Sequence, residues 1–139
     1  MIKKKLDIVV PVYYEGASIL NTINAFDESV TTPHNILICF DHENDSSVKN
    51  IKQNYTKKEN IFFIKNKYLG AHGAVMSGIE ETISNYVLVM PADDDYNQNI
   101  IDRMVDLATN ENFDVVSPCR FTKNSKIENG PFFKFLLVR

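Results

Sequence analysis

The sequence predicts an α/β domain with a doubly wound, mainly parallel sheet. Five short apolar segments rich in β-branched residues are separated by stretches with the 3.6-residue periodicity of helices. Alternating strands and helices of this length are typical of βαβ units with right-handed crossovers, which give a parallel sheet with helices on both faces. Acidic residues also follow the predicted strands, as expected where a ligand binds at the carboxyl edge of such a sheet.

The predicted elements alternate along the chain. The strands are expected at 6–12, 35–40, 60–65, 86–90 and 113–117. The helices are expected at about 17–26, 45–55, 69–83 and 98–109, with recurring apolar residues in the first, third and fourth. Asp45 or Ser46 is expected to cap the second helix, because short polar side chains accept hydrogen bonds from the free N–H groups of a helix start.

The fourth predicted strand ends at three consecutive carboxylates. Residues 86–90 are apolar without alternation, which favours a central strand buried on both faces. Pro91 ends its ladder because it has no N–H to donate. Asp93, Asp94 and Asp95 then repel one another, and a divalent cation would offset that repulsion. The alternative is a solvated acidic loop that caps the following helix.

The predicted crossovers bring the carboxyl ends of the strands to one edge of the sheet. That edge would gather Tyr13, Glu15, Asp41, Gly70, Asp93, Asp95 and Arg120. Acids for a metal, an arginine for a phosphate and a glycine that lets the backbone approach closely are the groups that a nucleotide diphosphate needs. The chain has no GxxxxGKS/T loop and no GxGxxG turn, which excludes a P-loop protein and weakens a dinucleotide-binding interpretation.

Composition limits the partners and the compartment. The 139 residues suffice for one domain, and the net charge of -3 argues against nucleic acid as the main partner. Cys39 and Cys119 show no metal-ligand spacing, so we expect two reduced thiols in a cytoplasmic protein. We expect no signal peptide, because Asp7 and Pro11 interrupt the first apolar run, and no membrane-spanning segment.

Five motifs occur in a fixed order along nearly the whole chain. They are IVVPVYYEGASI, FDHENDSS, LGAHGAVMSGI, VLVMPADDD and DVVSPCRF. Together they resemble the nucleotide-binding half of an inverting family-two glycosyltransferase with the GT-A fold, closest to the synthases of polyprenyl-phosphate (dolichyl-phosphate) sugars. In that family the corresponding elements are an opening strand with a P-x-Y-x-E loop, a D-G-S-x-D-x-T element, a glycine-rich helix start, a metal-binding D-x-D element and a strand that ends near an arginine.

The resemblance implies a nucleoside pocket lined by Pro11, Tyr13 and Glu15, with Asp41 hydrogen-bonded to the base. A carboxylate accepts from a ring N–H, which uracil and guanine both offer, so the expected donor is a nucleotide-diphosphate sugar of the UDP or GDP type. Gly70 belongs to the same nucleotide-binding set. The alternatives that need no ligand are a turn acid at Asp41 and a carboxylate that favours a helix start at Glu15.

On the phosphate side, the resemblance implies that Asp93 and Asp95 hold a divalent metal, Mg or Mn, that bridges the diphosphate. Arg120 would neutralise phosphate charge with its planar fork of donors, and the alternative for this residue is a surface ion pair. The sequence departs from the family pattern at Pro91, which occupies the first position of the usual D-A-D triplet. The partner of Asp93 is therefore either Asp94 or Asp95.

The acceptor side is the least defined part of the sequence. The resemblance implies sugar transfer with inversion to a polyprenyl phosphate or a growing glycan, and no general base is identifiable in this chain. A phosphate acceptor needs no strong base, because its oxygen is already ionised. Residues 131–139 form a phenylalanine-rich run that we interpret as the start of a cut helix, so we expect a domain truncated at its C-terminus. His42 and Glu43 replace small residues of the family pattern, a departure expected to alter base choice.

The expected assembly follows from the same apolar run. We interpret it as an orphaned core or interface face rather than a membrane anchor, so the alternatives are a homodimer and an apolar surface exposed by truncation. Peripheral association with the inner face of a membrane is what the resemblance to polyprenyl-phosphate sugar synthases implies. The main functional alternative is a non-catalytic nucleotide-binding or assembly module derived from a truncated or degenerate transferase. A nucleotidyltransferase is disfavoured, because the first strand leads into PVYYEG and not into a glycine-rich loop with a basic residue.

Overall fold

Four of the five predicted strands form one parallel sheet in the computed structural model, which describes residues 1–119. The strands are β1 (Leu6–Val12), β2 (His34–Phe40), β3 (Ile61–Lys65) and β4 (Tyr86–Val89), in the spatial order β3-β2-β1-β4. In the shared register, Ile8 lies opposite Ile36 of β2 and Leu88 of β4. All four strands therefore end at the same edge, as the sequence predicts.

Four helices connect and follow the strands. They are α1 (Ile19–Ser29), α2 (Ser46–Asn54), α3 (Gly70–Glu80) and α4 (Ile101–Asn110), the last preceded by a short 3₁₀ helix at Gln98–Ile100. Asp45 caps α2, since its carboxylate accepts from the backbone N–H of Ser47 at 2.7 Å. Among residues 1–119, no helix combines the length and apolar composition that a membrane crossing requires.

Helices lie on both faces of the sheet. On one face, the even-numbered residues of β1 and β2 pack against the apolar stripes of α1, α2 and α4. In α1 that stripe comprises Ile19, Ile23 and Phe26, which are fully buried and recur at the spacing of one helical face. On the other face, Val9 and Leu37 pack against α3. The doubly wound arrangement is confirmed.

The glycines of α3 allow the helix to lie close to the sheet. A Cβ atom at Gly78 would lie 2.4 Å from Cγ1 of Val9 and 2.6 Å from Sγ of Cys39. Cys39 is a free thiol in this buried contact, and burial raises its pKa to about 12. The sequence predicted that these glycines let the backbone approach something closely, and at Gly78 the neighbour is the sheet.

A buried carboxylate closes the amino edge of the sheet. Asp7 accepts hydrogen bonds from Asn35 Nδ2 at 2.7 Å, from Ser84 Oγ at 2.6 Å, and from the backbone N–H groups of Ile83 and Ser84 at 2.8 and 2.9 Å. Burial raises the pKa of this carboxyl, but the hydrogen bonds from Ser84, Ile83 and Asn35 outweigh burial and lower the pKa below 3.8. These contacts also hold Ile83 outside α3, which ends three residues earlier than predicted.

Two predictions about the strands are wrong. β4 is not a central strand buried on both faces: within residues 1–119 it lies at an edge of the sheet, and Val87 and Val89 are 46% and 42% exposed. The physical reason is that α3 packs over β1 and β2 and not over β4, so the side chains of β4 on that face stay exposed. The predicted strand at 113–117 does not form either, because its β-rich residues have no ladder partner in the described chain.

Candidate functional site

The loop after β1 is held by the start of α2. The backbone N–H of Tyr14 donates to Asp45 Oδ2 at 2.9 Å, and that of Glu15 donates to Ser47 Oγ at 2.9 Å. Asp45 and Ser47 are both buried. Tyr14 has a φ of 57°, in the left-handed region that non-glycine residues rarely adopt. The α2 cap therefore fixes an otherwise unfavourable loop conformation at the carboxyl edge.

This loop presents an exposed aromatic surface. Tyr13 is 64% exposed, and its ring meets that of Tyr14 edge-on with centroids 5.1 Å apart. The ring of His42 lies 6.4 Å from that of Tyr14, whose hydroxyl donates to Asn44 Oδ1 at 3.2 Å. Accessible aromatic faces of this kind suit stacking against a planar base.

Asp41 follows β2 and has an ordered carboxylate. Its Oδ1 accepts from Asn66 Nδ2 at 2.5 Å and its Oδ2 accepts from the backbone N–H of Gly70 at 3.1 Å. A carboxylate offers about four acceptor positions, so further donors from a ligand can still be accommodated. Two of the predicted nucleotide-binding residues, Asp41 and Gly70, are thus in direct contact.

Asn66, which no sequence motif indicated, lies at the centre of this part of the site. Asn66 is only 8% exposed. Its Oδ1 accepts from the backbone N–H of Tyr68 at 2.9 Å and from Ser77 Oγ at 3.1 Å, and its Nδ2 also donates to the carbonyl of Gly70 at 3.0 Å. The only local signal was an asparagine directly after a strand, and its partners are up to 25 residues away along the chain.

The turn that Asn66 holds is strained. Leu69 has a φ of 51° and a ψ of 141°, and its side chain is 80% exposed. A Cβ atom at Gly73 would lie 2.6 Å from the carbonyl oxygen of Tyr68, so this turn packs directly onto the first turn of α3. A non-glycine residue keeps such a conformation only when the surrounding contacts enforce it.

The three acids after β4 differ in their contacts. The Asp94 carboxylate accepts from the backbone N–H groups of Tyr96 and Asn97 at 3.2 and 3.1 Å, and from the Asn97 side chain. Asp93 is exposed and Asp95 is half-buried, and within residues 1–119 neither side chain makes a hydrogen bond. Asp94 therefore organises the loop, whereas Asp93 and Asp95 keep their oxygens available.

The backbone of this acidic loop is anchored to the core. Thr22 of α1, a buried residue, donates its hydroxyl proton to the carbonyl of Ala92 at 2.6 Å. The backbone N–H of Met90 donates to the carbonyl of Val9 at 3.0 Å, and the buried side chain of Gln98 donates to the carbonyl of Asp94. The loop is thus fixed on both sides of Asp93, although that residue lies at the surface.

The donor set suits a hard divalent cation with few protein ligands. No group of three or more His, Cys, Asp or Glu side chains in the described part of the chain is arranged to hold a metal. Two free carboxylates on one loop match Mg²⁺ or Mn²⁺, which bind through one or two carboxylates and take their other ligands from phosphates and water. Asp93 with Asp95 fits this pattern, and Asp94 does not, because its oxygens are engaged.

The structure places most of the predicted site residues along the carboxyl edge. Pro11 lies in β1 opposite Cys39, and the other described members follow the strands or begin α3: Tyr13, Glu15, Asp41, Gly70, Asp93 and Asp95. Arg120 and the run at 131–139 lie outside the described residues. The binding roles of all these residues remain predictions.

Comparisons with known proteins agree on the family. The family model described as glycosyl transferase family 2 matches residues 7–134. An undecaprenyl-phosphate 4-deoxy-4-formamido-L-arabinose transferase of Yersinia enterocolitica is 29% identical over 84% of this chain and 37% of its own length. A dolichol-phosphate mannosyltransferase of Pyrococcus furiosus is 22% identical over 97% of this chain and 38% of its own length. The chain thus spans somewhat more than a third of the curated relatives it matches.

A solved structure supports the fold. The crystal structure of residues 1–349 of S. aureus TarS superposes with a TM-score of 0.66 at 15% sequence identity, covering 78% of this chain and 33% of that one. At this identity the likeness concerns the fold, and with the parallel topology it confirms the predicted GT-A type of α/β architecture. By its sequence match and its fold, the chain belongs to glycosyl transferase family 2.

Proposed function

We propose that this chain binds a nucleotide-diphosphate sugar at the carboxyl edge of its sheet and provides the donor side of an inverting glycosyl transfer. The observation that carries the proposal is the arrangement of acids on either side of β1. Asp41 follows β2 with an ordered carboxylate, whereas Asp93 and Asp95 follow β4 with free oxygens. The Asp41 carboxylate suits a hydrogen bond from a base N–H, whereas Asp93 and Asp95 suit a metal ion that offsets the charge of a diphosphate.

The nucleoside would bind next to β1 and β2. Tyr13 offers an exposed ring for stacking, while Asp41 accepts a hydrogen bond from the base. Pro11 and Glu15 line the same pocket, and Gly70 approaches the ligand through its backbone. A ring N–H on uracil or guanine supplies the required donor, so UDP and GDP sugars are the candidates.

The diphosphate would bind next to β4. Asp93 and Asp95 would hold a Mg²⁺ or Mn²⁺ ion, which when bound supplies positive charge against the diphosphate oxygens. Arg120 would add a bidentate donor for a phosphate. In the transfer, an acceptor oxygen bonds to the anomeric carbon from the face opposite the leaving group. The bond from that carbon to the diphosphate oxygen breaks, and its electron pair leaves with the nucleoside diphosphate.

The relatives favour a polyprenyl phosphate as the acceptor. Two of them are named as undecaprenyl-phosphate and dolichol-phosphate sugar transferases. A phosphate oxygen is ionised near neutral pH and attacks without a strong general base. An acceptor with a lipid tail would place the protein at the cytoplasmic face of a membrane, as a peripheral protein. A growing glycan is the second acceptor class.

A thermal-shift experiment on the full chain tests this proposal. UDP, GDP and their sugar conjugates are compared with Mn²⁺ or with chelator. A ligand at a hundred times its dissociation constant stabilises the folded state by about 2.7 kcal/mol, which corresponds to a shift on the order of 10 °C for a domain of this size. We expect one nucleotide to give such a shift, and chelator to abolish it.

Variants identify the metal ligands in the same experiment. Asp93→Asn and Asp95→Asn should each abolish the metal-dependent shift, whereas Asp106→Asn, at an exposed position of α4, should retain it. The proposal fails if no nucleotide stabilises the chain, or if chelator has no effect. Binding without turnover of any sugar conjugate would instead favour the alternative of a nucleotide-binding module.

A further inference from the structure

Asn66 connects the acid at the end of β2 with the strained turn before α3. Its amide has two donor positions and two acceptor positions, and all four are used. Nδ2 donates to Asp41 Oδ1 and to the carbonyl of Gly70, while Oδ1 accepts from Tyr68 and Ser77. A flipped amide would bring oxygen against the oxygens of Asp41 and Gly70, so the partners fix its orientation.

The contact with Asn66 determines the direction of the Asp41 carboxylate. Asp41 Oδ1 is held by Asn66 at 2.5 Å, and Oδ2 by the backbone N–H of Gly70 at 3.1 Å. Gly70 is itself held by Asn66 through its carbonyl. Loss of the Asn66 amide would therefore free both carboxylate oxygens of Asp41. Oδ1 would lose its donor directly, and Oδ2 would lose it indirectly, because Asn66 also holds Gly70.

We infer that Asn66 is a positioning residue for nucleobase recognition. It holds the Asp41 carboxylate in the orientation in which the remaining lone pairs of that carboxylate accept from a base N–H. The inference rests on the proposed function, in which Asp41 contacts the base. Its physical basis is preorganisation: a side chain that is already fixed does not lose rotamer freedom when the ligand binds.

The consequence is specific for ligands that contain a base. Asn66→Ala should weaken binding of the preferred nucleoside diphosphate about tenfold, as expected when one side chain must be ordered on binding. Inorganic pyrophosphate contains no base and, in the proposed site, would bind with Mn²⁺ at Arg120 and the acidic loop after β4, so its affinity should not change. A residue that merely maintains the fold would affect both ligands alike.

The chain contains a matched control at the opposite edge of the sheet. Asn35 is also a buried asparagine whose Nδ2 donates to a carboxylate, that of Asp7, at 2.7 Å. Asn35→Ala should lower stability as Asn66→Ala does, because each change removes a hydrogen bond from a buried asparagine to a carboxylate. It should leave the nucleotide dissociation constant unchanged.

Isothermal titration calorimetry on the full chain, with UDP, GDP and pyrophosphate in the presence of Mn²⁺, tests the inference. Asn66→Asp serves as a second variant, because it retains the oxygen that accepts from Tyr68 and Ser77 and removes only the donor. It should weaken nucleotide binding at least as much as Asn66→Ala, since it places a second carboxylate against Asp41. In an Asp41→Ala background, Asn66→Ala should add no further loss.

The outcomes separate this inference from the proposed function. Unchanged nucleotide affinity in both Asn66 variants, or an equal loss for pyrophosphate, would overturn the positioning role while nucleotide binding stands. Additive losses in the double variant would also overturn it. A wild-type chain that binds neither UDP nor GDP would overturn the proposed function, and the inference with it.

Discussion

Three adjacent aspartates differ in the hydrogen bonds that each one makes. Asp94 is engaged by Tyr96 and Asn97, whereas Asp93 and Asp95 make no hydrogen bond in the described part of the chain. The sequence left open which acid accompanies Asp93 at the metal, because three identical side chains in a row carry no such distinction. The loop conformation supports Asp95.

Substitutions of Asp94 and Asp95 should affect stability and ligand binding differently. Asp94→Ala should lower the free energy of unfolding by about 1 kcal/mol, because it removes the acceptor for two backbone N–H groups. Asp95→Asn should leave the unfolding free energy of the unliganded chain nearly unchanged and remove its stabilisation by Mn²⁺ and nucleotide. Urea denaturation of both variants, with and without ligand, measures the two effects. The reverse pattern would assign the metal to Asp94.

The buried carboxylate of Asp7 predicts a pH dependence of stability. Hydrogen bonds lower its pKa in the folded state below 3.8, so the ionised form is favoured by folding. The resulting stabilisation is present above the pKa of the unfolded chain, about 3.9, and is lost as the pH falls through the lower, folded-state pKa. Acid should therefore weaken the contacts with Ile83 and Ser84.

Asp7→Asn isolates this contribution. At about pH 7 the variant should be less stable than the wild type by about 3 kcal/mol, since its amide N–H groups face the backbone donors. The difference should shrink as the pH is lowered from about 7 to about 3, because the unfolded wild-type chain takes up a proton at Asp7 below about pH 3.9. Urea unfolding at both pH values measures it, with Asp106→Asn as the exposed control. A difference independent of pH would exclude the ionised form of Asp7 as its cause.

At the scale of elements, the sequence predicted the strand and helix order well and the surroundings of the strands less well. β1 and β2 are buried where their apolar runs predicted, because both lie between other strands. β4 has a similar apolar run but lies at an edge in the described chain, beside a groove of about 220 Å³ lined by residues that include Leu88, Met104 and Val116. Composition does not distinguish a central strand from an edge strand, because the order of strands in a sheet depends on contacts that are distant in sequence.

The contact between α3 and the sheet predicts the effect of an added methyl group. Gly78→Ala would place Cβ within 2.4 Å of Val9 and 2.6 Å of Cys39. Overpacking of this kind costs roughly 1–3 kcal/mol, and alanine recovers about 1 kcal/mol of helix propensity. We expect a net destabilisation of about 1 kcal/mol. Because Val9→Ala makes room, the two changes together should cost less than the sum of each alone in urea unfolding, and strict additivity would contradict this packing.

Distance along the chain explains which candidate site residues could be proposed from the sequence. Asp41, Gly70 and Asp93 were proposed because they follow strands or begin a helix, which is a local signal. Asn66 and Ser77 were missed, because their role depends on contacts across the turn before α3. Asp45 was expected only as a helix cap, and the structure adds its contact with Tyr14.

At the scale of the whole molecule, the two edges of the sheet differ in how their polar groups are used. At the amino edge, the buried Asp7 carboxylate accepts hydrogen bonds from Asn35, Ile83 and Ser84. The carboxyl edge combines exposed aromatic rings, an ordered Asp41 and two free carboxylates. Parallel topology is what separates them, since it places all strand ends of one kind together.

The most direct test of the account is the position of the bound nucleotide, measured by amide chemical shifts in NMR spectra of the full chain titrated with Mg²⁺ and the preferred nucleoside diphosphate. We predict the largest shifts at Tyr13, Asp41, Gly70 and the acidic loop around Asp93, and none at Asn35 of the amino edge. Chelator should reverse the shifts of the acidic loop. Shifts centred on the amino edge, or no shifts with any nucleotide, would contradict the claim that the carboxyl edge is a nucleotide-sugar site.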